Sequence, residues 1–275
     1  MITFEKEKDY LICVDSDGTV MDSMVIKHTK ALAPKLISVF GLENDKNQIL
    51  KKWYELNLYK ETRGLNRFIA LDLILAYAGS LDYSFEGYDI YHNWVINTQS
   101  LSVPSLKNEI ERRGNYDCLV KALKWGEDVN LAIERLPLAK PFKNARRSLE
   151  ILSEMVDLLG VSSANEKAIL AEWKSAKIDY LFKAIGCQKD GTKEKIIEFA
   201  LSLGYKNDHV LMLGDSMGDF LASRRNNILF FPFIPYHEND SWNRLINEAF
   251  PLFLQDKYDK EYQEKLILEF KKALS

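Results

Sequence analysis

Two hydrophobic patterns alternate along this chain. In the first, a short apolar run ends in a polar turn. Tyr10–Val14 runs into Asp15-Ser16-Asp17-Gly18-Thr19, Met155–Val161 into Ser162-Ser163, and Val210–Leu213 into Gly214-Asp215; Ile228–Phe233 is a fourth such run. Continuous apolar runs closed by turn residues predict buried strands. Pro232 predicts that the fourth run ends there or lies at a sheet edge. In the second pattern, apolar residues recur at helical spacing over Lys143–Glu154, Glu166–Ala176 and Lys193–Leu203, and in a charged amphipathic tail, Tyr258–Leu274. Strands alternating with helices predict an α/β fold, a doubly wound parallel sheet of Rossmann-like type.

Between Asn47 and Leu136 no strand pattern stands out. Helical pieces are expected at Val25–Gly41, Lys51–Leu58, Asn66–Tyr77, Tyr88–Ile96, Tyr116–Lys124 and Asn130–Arg135, with breaks at Gly79-Ser80 and Val103-Pro104-Ser105. The aromatic residues Trp53, Tyr54, Tyr59, Tyr88, Tyr91 and Trp94 are expected to form the core of this region. The organisation that follows is an α/β core of residues 1–20 and 141–275, interrupted by a mainly helical insertion over 21–140.

Composition narrows the class of function. The 275 residues are 47% hydrophobic and 28% charged, with a net charge of −3. Such a balance offers no field for nucleic acid or an anionic membrane. No apolar run reaches the length of a membrane span, and the N-terminus lacks a signal-peptide pattern. Cys13, Cys118 and Cys187 form no CxxC and are expected as free thiols in a reducing cytoplasm. The four histidines show no metal-like spacing. A cytoplasmic protein acting on a small molecule is the expectation.

Candidate chemistry gathers at the strand ends, where open α/β sheets bind their ligands. Asp15 and Asp17 are two apart, so in extended chain they lie on one side and repel unless a cation or proton joins them. With Asp215, they offer the hard oxygens that suit Mg²⁺. Asp219 is expected to follow Asp215 by one helical turn and to face the same way. Ser162 can donate its hydroxyl proton, unless it serves as a helix N-cap, in which case Ser163 is the substitute. Lys193 opens a helix and can point an ammonium into the site; Lys189 is the alternative.

These motifs, Asp15-Ser16-Asp17-Gly18-Thr19-Val20 with Asp22-Ser23, then Ser162, Lys193 and Gly214-Asp215-Ser216-Met217-Gly218-Asp219, resemble those of the haloacid dehalogenase superfamily in the family's own order. The insertion after the first motif resembles its helical-cap subclass, with sugar phosphatases and phosphomutases among its members. The resemblance implies Mg²⁺-dependent hydrolysis of a small phosphate monoester through an aspartyl phosphate. Asp15 would be the nucleophile. Asp17 would be the general acid and base, with its backbone carbonyl on the metal. Ser162 and Lys193 would hold the phosphoryl group, Asp215 and Asp219 would serve the metal, and Thr19 would support the loop. Family dehalogenases lack the second aspartate, so Asp17 points to phosphate esters. In the insertion, Arg63-Gly64-Leu65-Asn66-Arg67 resembles the family's specificity loop, which makes Arg63 and Arg67 candidate substrate ligands; surface salt bridges are the competing reading. A phosphomutase on the same core, or a non-catalytic binding protein, are the alternatives.

Overall fold

The computed structural model describes residues 2–275. The chain divides into two compact units, one of Met1–Met24 with Leu138–Ser275, the other of Val25–Pro137. Residues 21–24 and 138–140 fall in the first unit. Backbone bonds from Asp22 N–H to Lys140 O and from Phe142 N–H to Val20 O zip the outgoing and returning chain together there.

The first unit is built on a five-stranded sheet. Its strands are β1 (Leu11–Val14), β2 (Asp157–Val161), β3 (Ala184–Gly186), β4 (Val210–Gly214) and β5 (Leu229–Pro232), in the spatial order β3-β2-β1-β4-β5 and all parallel. This is the expected α/β fold. Pro232 is the last residue of an edge strand, where its missing N–H costs no ladder bond. The strand β3 was not expected: it is three residues long, and only Gly186 is fully buried, so it leaves no apolar run to read.

Alternation along β1 sends successive side chains to opposite faces of the sheet. Ile12 and Val14 pack with Leu158, Leu211 and Leu213 beneath helices Ala145–Met155 and Glu166–Ala176. Leu11 and Cys13 pack on the other face with Leu159, Val210 and Met212 beneath helices Lys193–Ser202, Met217–Arg225 and Lys260–Ala273. Helices on both faces bury the sheet fully, which is why its strands read as unbroken apolar runs. The segment Glu238–Leu254, for which no element was expected, is also helical, with a π-helical turn at Leu245–Ala249.

The second unit is helical. Its core holds Trp53, Phe68, Tyr91, Trp94 and Trp125, with Phe68 edge-on to Trp94 at 5.3 Å and to Trp125 at 6.1 Å. Tyr59, expected in this core, is half exposed. One expected break is not a break. Val103-Pro104-Ser105 starts a helix, Val103–Arg113: Ser102 caps it, and Pro104 sits in the first turn, where a missing N–H is harmless. The helices expected at Tyr116–Lys124 and Asn130–Arg135 are one, Asp117–Glu134, with Gly126 inside it. A Cβ there would stand 3.1 Å from Phe68 and 3.2 Å from Val103, so this glycine admits a close neighbour. Among the described residues, no helix is long and apolar enough to cross a membrane.

Candidate active site

Parallel pairing sets β2 and β4 beside β1, so residues just past Val14, Val161 and Gly214 emerge at one edge of the sheet. Asp15 continues the ladder through its N–H to Leu213 O at 3.0 Å. After it the chain turns sharply. Ser16 O accepts from the N–H groups of Thr19, Val20 and Met21, and Gly18 takes a left-handed φ of 85° that favours glycine.

Three buried carboxylates converge here. One oxygen each from Asp15, Asp215 and Asp219 lies within 4.8 Å of the others. Lys193, the first residue of its helix, places Nζ 2.6 Å from Asp15 Oδ1 and 2.6 Å from Asp219 Oδ1. Thr19 Oγ1 lies 3.4 Å from both Asp15 Oδ2 and Asp215 Oδ1. Burial pushes the Asp15 carboxyl well above the usual carboxylate range; Lys193 opposes this, while Asp219 and Asp215 add to it. Burial would lower the Lys193 ammonium, but Asp15 and Asp219 outweigh it and raise it.

Asp219 reaches the site by a different route from the one expected. Asp215 precedes the helix, so the two are not one helical turn apart. Ser216 caps the helix Met217–Arg225, and Asp219 is its third residue. Asp219 Oδ2 accepts from Ser216 Oγ at 2.6 Å and Ser216 N–H at 3.2 Å, and Ser216 Oγ accepts from Asp219 N–H at 3.3 Å. This capping box fixes Asp219 and leaves Oδ1 for Lys193. The Ser-x-x-Asp spacing was the signal that could have shown it.

Gly214 makes this possible. A Cβ on it would lie 2.3 Å from Cβ and Cγ of Asp219. Gly214→Ala is therefore expected to displace the Asp219 carboxylate and lower stability by about 1–3 kcal/mol through overpacking. Urea unfolding measures this; unchanged stability would mean that the loop yields freely.

The remaining candidates are placed as follows. The Asp17 carboxylate stands outside the trio and accepts from the hydroxyl of Ser23, a buried residue at the end of the first motif. Ser162 is buried, and its Oγ accepts from Ala164 N–H at 3.1 Å. It does not cap the following helix, because Asn165 does. Ser163 is exposed. Lys189 pairs with Glu166 at 2.5 Å, so the ammonium between the carboxylates is that of Lys193. In the helical unit, Arg63 is buried and donates to Leu58 O at 3.1 Å. Arg67 donates to Asn130 Oδ1 at 2.7 Å, and burial lowers its pKa.

The family model described as haloacid dehalogenase-like hydrolase matches residues 77–232. The chain belongs to this family. The matched stretch carries Ser162, Lys193, Asp215 and Asp219; the motif of Asp15 and Asp17 precedes it. Among solved structures, a haloacid dehalogenase-like family hydrolase from Xanthomonas campestris shares the fold at 9% identity and a TM-score of 0.51, covering 92% of this chain and 97% of that one. Also similar are a predicted phosphatase from Clostridium acetobutylicum (16% identity, 82% of this chain and 85% of that one, TM-score 0.45) and the L-2-haloacid dehalogenase from Xanthobacter autotrophicus (15%, 89% and 86%, 0.43). No curated protein matches the chain. Family membership makes the chain a hydrolase of this kind and leaves open which bond it cleaves.

Proposed function

We propose that this member of the family hydrolyses the phosphate ester of a small metabolite, with Asp15 as the nucleophile and Mg²⁺ as cofactor. The observation that carries the reading is the Lys193 ammonium held between Asp15 and Asp219, with Asp215 alongside, where β1 and β4 end. Three buried carboxylates against one ammonium leave an excess of negative charge that would repel a phosphate. Hard oxygen donors so close together, with a carboxyl driven upward by burial, fit a divalent cation. Asp15, Asp215 and the backbone carbonyl of Asp17 would hold it, with Asp219 in support. Mg²⁺ would supply the charge that keeps Asp15 ionised and draws the phosphoryl oxygens in.

The chemistry then runs through the chain's own groups. The Asp15 carboxylate attacks phosphorus as the bond to the ester oxygen breaks, and Asp17 gives that oxygen a proton. Asp17 next takes a proton from water, which attacks the same phosphorus, frees phosphate and restores the Asp15 carboxylate. Lys193 and the Ser162 hydroxyl hold the phosphoryl oxygens while charge builds on them. Asp17 decides between phosphate esters and haloacids in this reading, since departure of a halide needs no proton. The Ser23 hydroxyl donates to its carboxylate. The helical unit is proposed as the family's cap, with Arg63 and Arg67 as candidates for recognising the rest of the substrate.

Metal binding can be tested without turnover. Mg²⁺ at a hundredfold its Kd is expected to stabilise the fold by about 2.7 kcal/mol, which is roughly 5–10 °C in Tm for a unit of this size. EDTA should abolish the shift, and Asp215→Asn should remove most of it. An equal shift in Asp215→Asn would place the metal elsewhere.

A further inference from the structure

We propose that Trp173 and Trp242 are positioning residues, which fix the loop carrying Asp15 and Asp17 through their indole N–H groups. The proposal rests on the reading of that loop as the catalytic one. Trp173 lies on helix Glu166–Ala176 and donates Nε1–H to Ser16 Oγ at 2.9 Å. Trp242 lies on helix Glu238–Arg244 and donates Nε1–H to Thr19 O at 3.0 Å. Both rings are fully buried, as are Ser16 and Thr19.

The two bonds hold the loop at the beginning and at the middle of its turn. Ser16 is the hub onto which the amides of Thr19, Val20 and Met21 close. A donor on its side chain fixes the residue between the two aspartates. The bond at Thr19 O fixes the residue whose hydroxyl lies between Asp15 and Asp215. Each ring has a fitted seat. Trp173 lies against Gly160, where a Cβ would stand 2.9 Å from Cη2 of the ring. Trp242 packs edge-on to Phe233 at 4.7 Å, and Phe233 N–H donates to Gly214 O at 2.8 Å, next to Asp215. Trp242 thereby ties the Asp15 loop to the segment that follows β5. A bond costs little in freedom where the ring is already packed, and a loop held this way needs no reorganisation when charge develops on it.

The test uses Trp173→Phe, Trp242→Phe, Ser16→Ala and the double variant Trp173→Phe/Ser16→Ala in the full chain. Two quantities are measured: kcat and KM on p-nitrophenyl phosphate with Mg²⁺, and amide hydrogen exchange. Each single variant should lose at least fivefold in kcat with KM within twofold, a split that packing loss alone would not give. The double variant should be no worse than the poorer single, because both remove one bond. The Val20 and Met21 amides should exchange at least tenfold faster, with the β4 amides unchanged. Wild-type exchange at Val20 and Met21 in the variants overturns the proposal, whatever kcat does. So does a double variant whose loss is the product of the singles. If a Phe variant fails to fold, Ser16→Ala carries the exchange test by itself. If the wild-type protein releases no phosphate, the phosphatase reading falls, and the exchange result still decides whether the indoles hold the loop.

Discussion

Asp15→Asn is expected to abolish phosphate release, by at least about a thousandfold in kcat, without unfolding the protein. The amide is isosteric with the carboxylate but is a poor nucleophile, and no other carboxylate stands at the same place on β1. Asp219 is held by Ser216 and Lys193, and Asp215 is anchored past the end of β4. The fold should not suffer. Asp15 is one of three crowded buried carboxylates, and burial drives its carboxyl well above the usual range. Removing that charge relieves repulsion, and Lys193 keeps Asp219 as a partner. The melting temperature of the variant should equal or exceed that of the wild type in the absence of metal. A variant that loses activity and stability together would give Asp15 a structural role instead. A variant with substantial residual turnover would remove it as nucleophile.

Lys193→Ala carries the second large effect, and here stability falls as well. The ammonium is nearly buried and bridges Asp15 and Asp219 at 2.6 Å each. Breaking a buried pair by removing one partner typically costs about 3–5 kcal/mol, because the remaining charge is left uncompensated. The sign of the pH dependence follows. Without Lys193 the Asp15 carboxyl rises further above its unfolded value, so the native state binds more protons than the unfolded one. Stability then falls as pH rises from the usual carboxylate range through the raised value. The deficit against wild type should be largest at neutral pH and should shrink on acidification. Mg²⁺ should also reduce it, by returning positive charge to the trio. Urea unfolding between pH 5 and pH 8, with and without Mg²⁺, measures all three. A deficit independent of both pH and Mg²⁺ would mean that Lys193 stabilises by packing alone. Activity should fall by at least a hundredfold, since the cation that would hold the phosphoryl oxygens is gone.

Much of this arrangement is legible in the sequence, for a physical reason. A parallel sheet covered on both faces turns its strands into unbroken apolar runs, and the polar residues that close those runs mark one edge. Tyr10–Val14 followed by Asp15, and Val210–Leu213 followed by Gly214-Asp215, could be read in this way. The features that leave no such mark in the sequence are less periodic. The strand β3 is too short and too little buried to leave a signature. Pro104 has the look of punctuation, although it sits in the first turn of a helix. Tyr59 is of a core-forming type yet half exposed, because type alone does not fix burial. The capping box at Ser216 shares its residues with the Gly214–Asp219 motif, so one spacing carries two meanings. The indole bonds to Ser16 and Thr19 join residues 157 and 223 positions apart, so no local pattern reports them.

The central claim is that the bond cleaved is that of a phosphate ester, at a site built on Asp15 and a divalent cation. The most direct test compares phosphate and halide release across a panel of phosphorylated metabolites and 2-haloacids, with Mg²⁺ and with EDTA, using Asp15→Asn as the blank. The account predicts phosphate release from at least one monoester, lost in EDTA and in the variant, and no halide from any haloacid. Halide release, or phosphate release that survives both EDTA and Asp15→Asn, would contradict it.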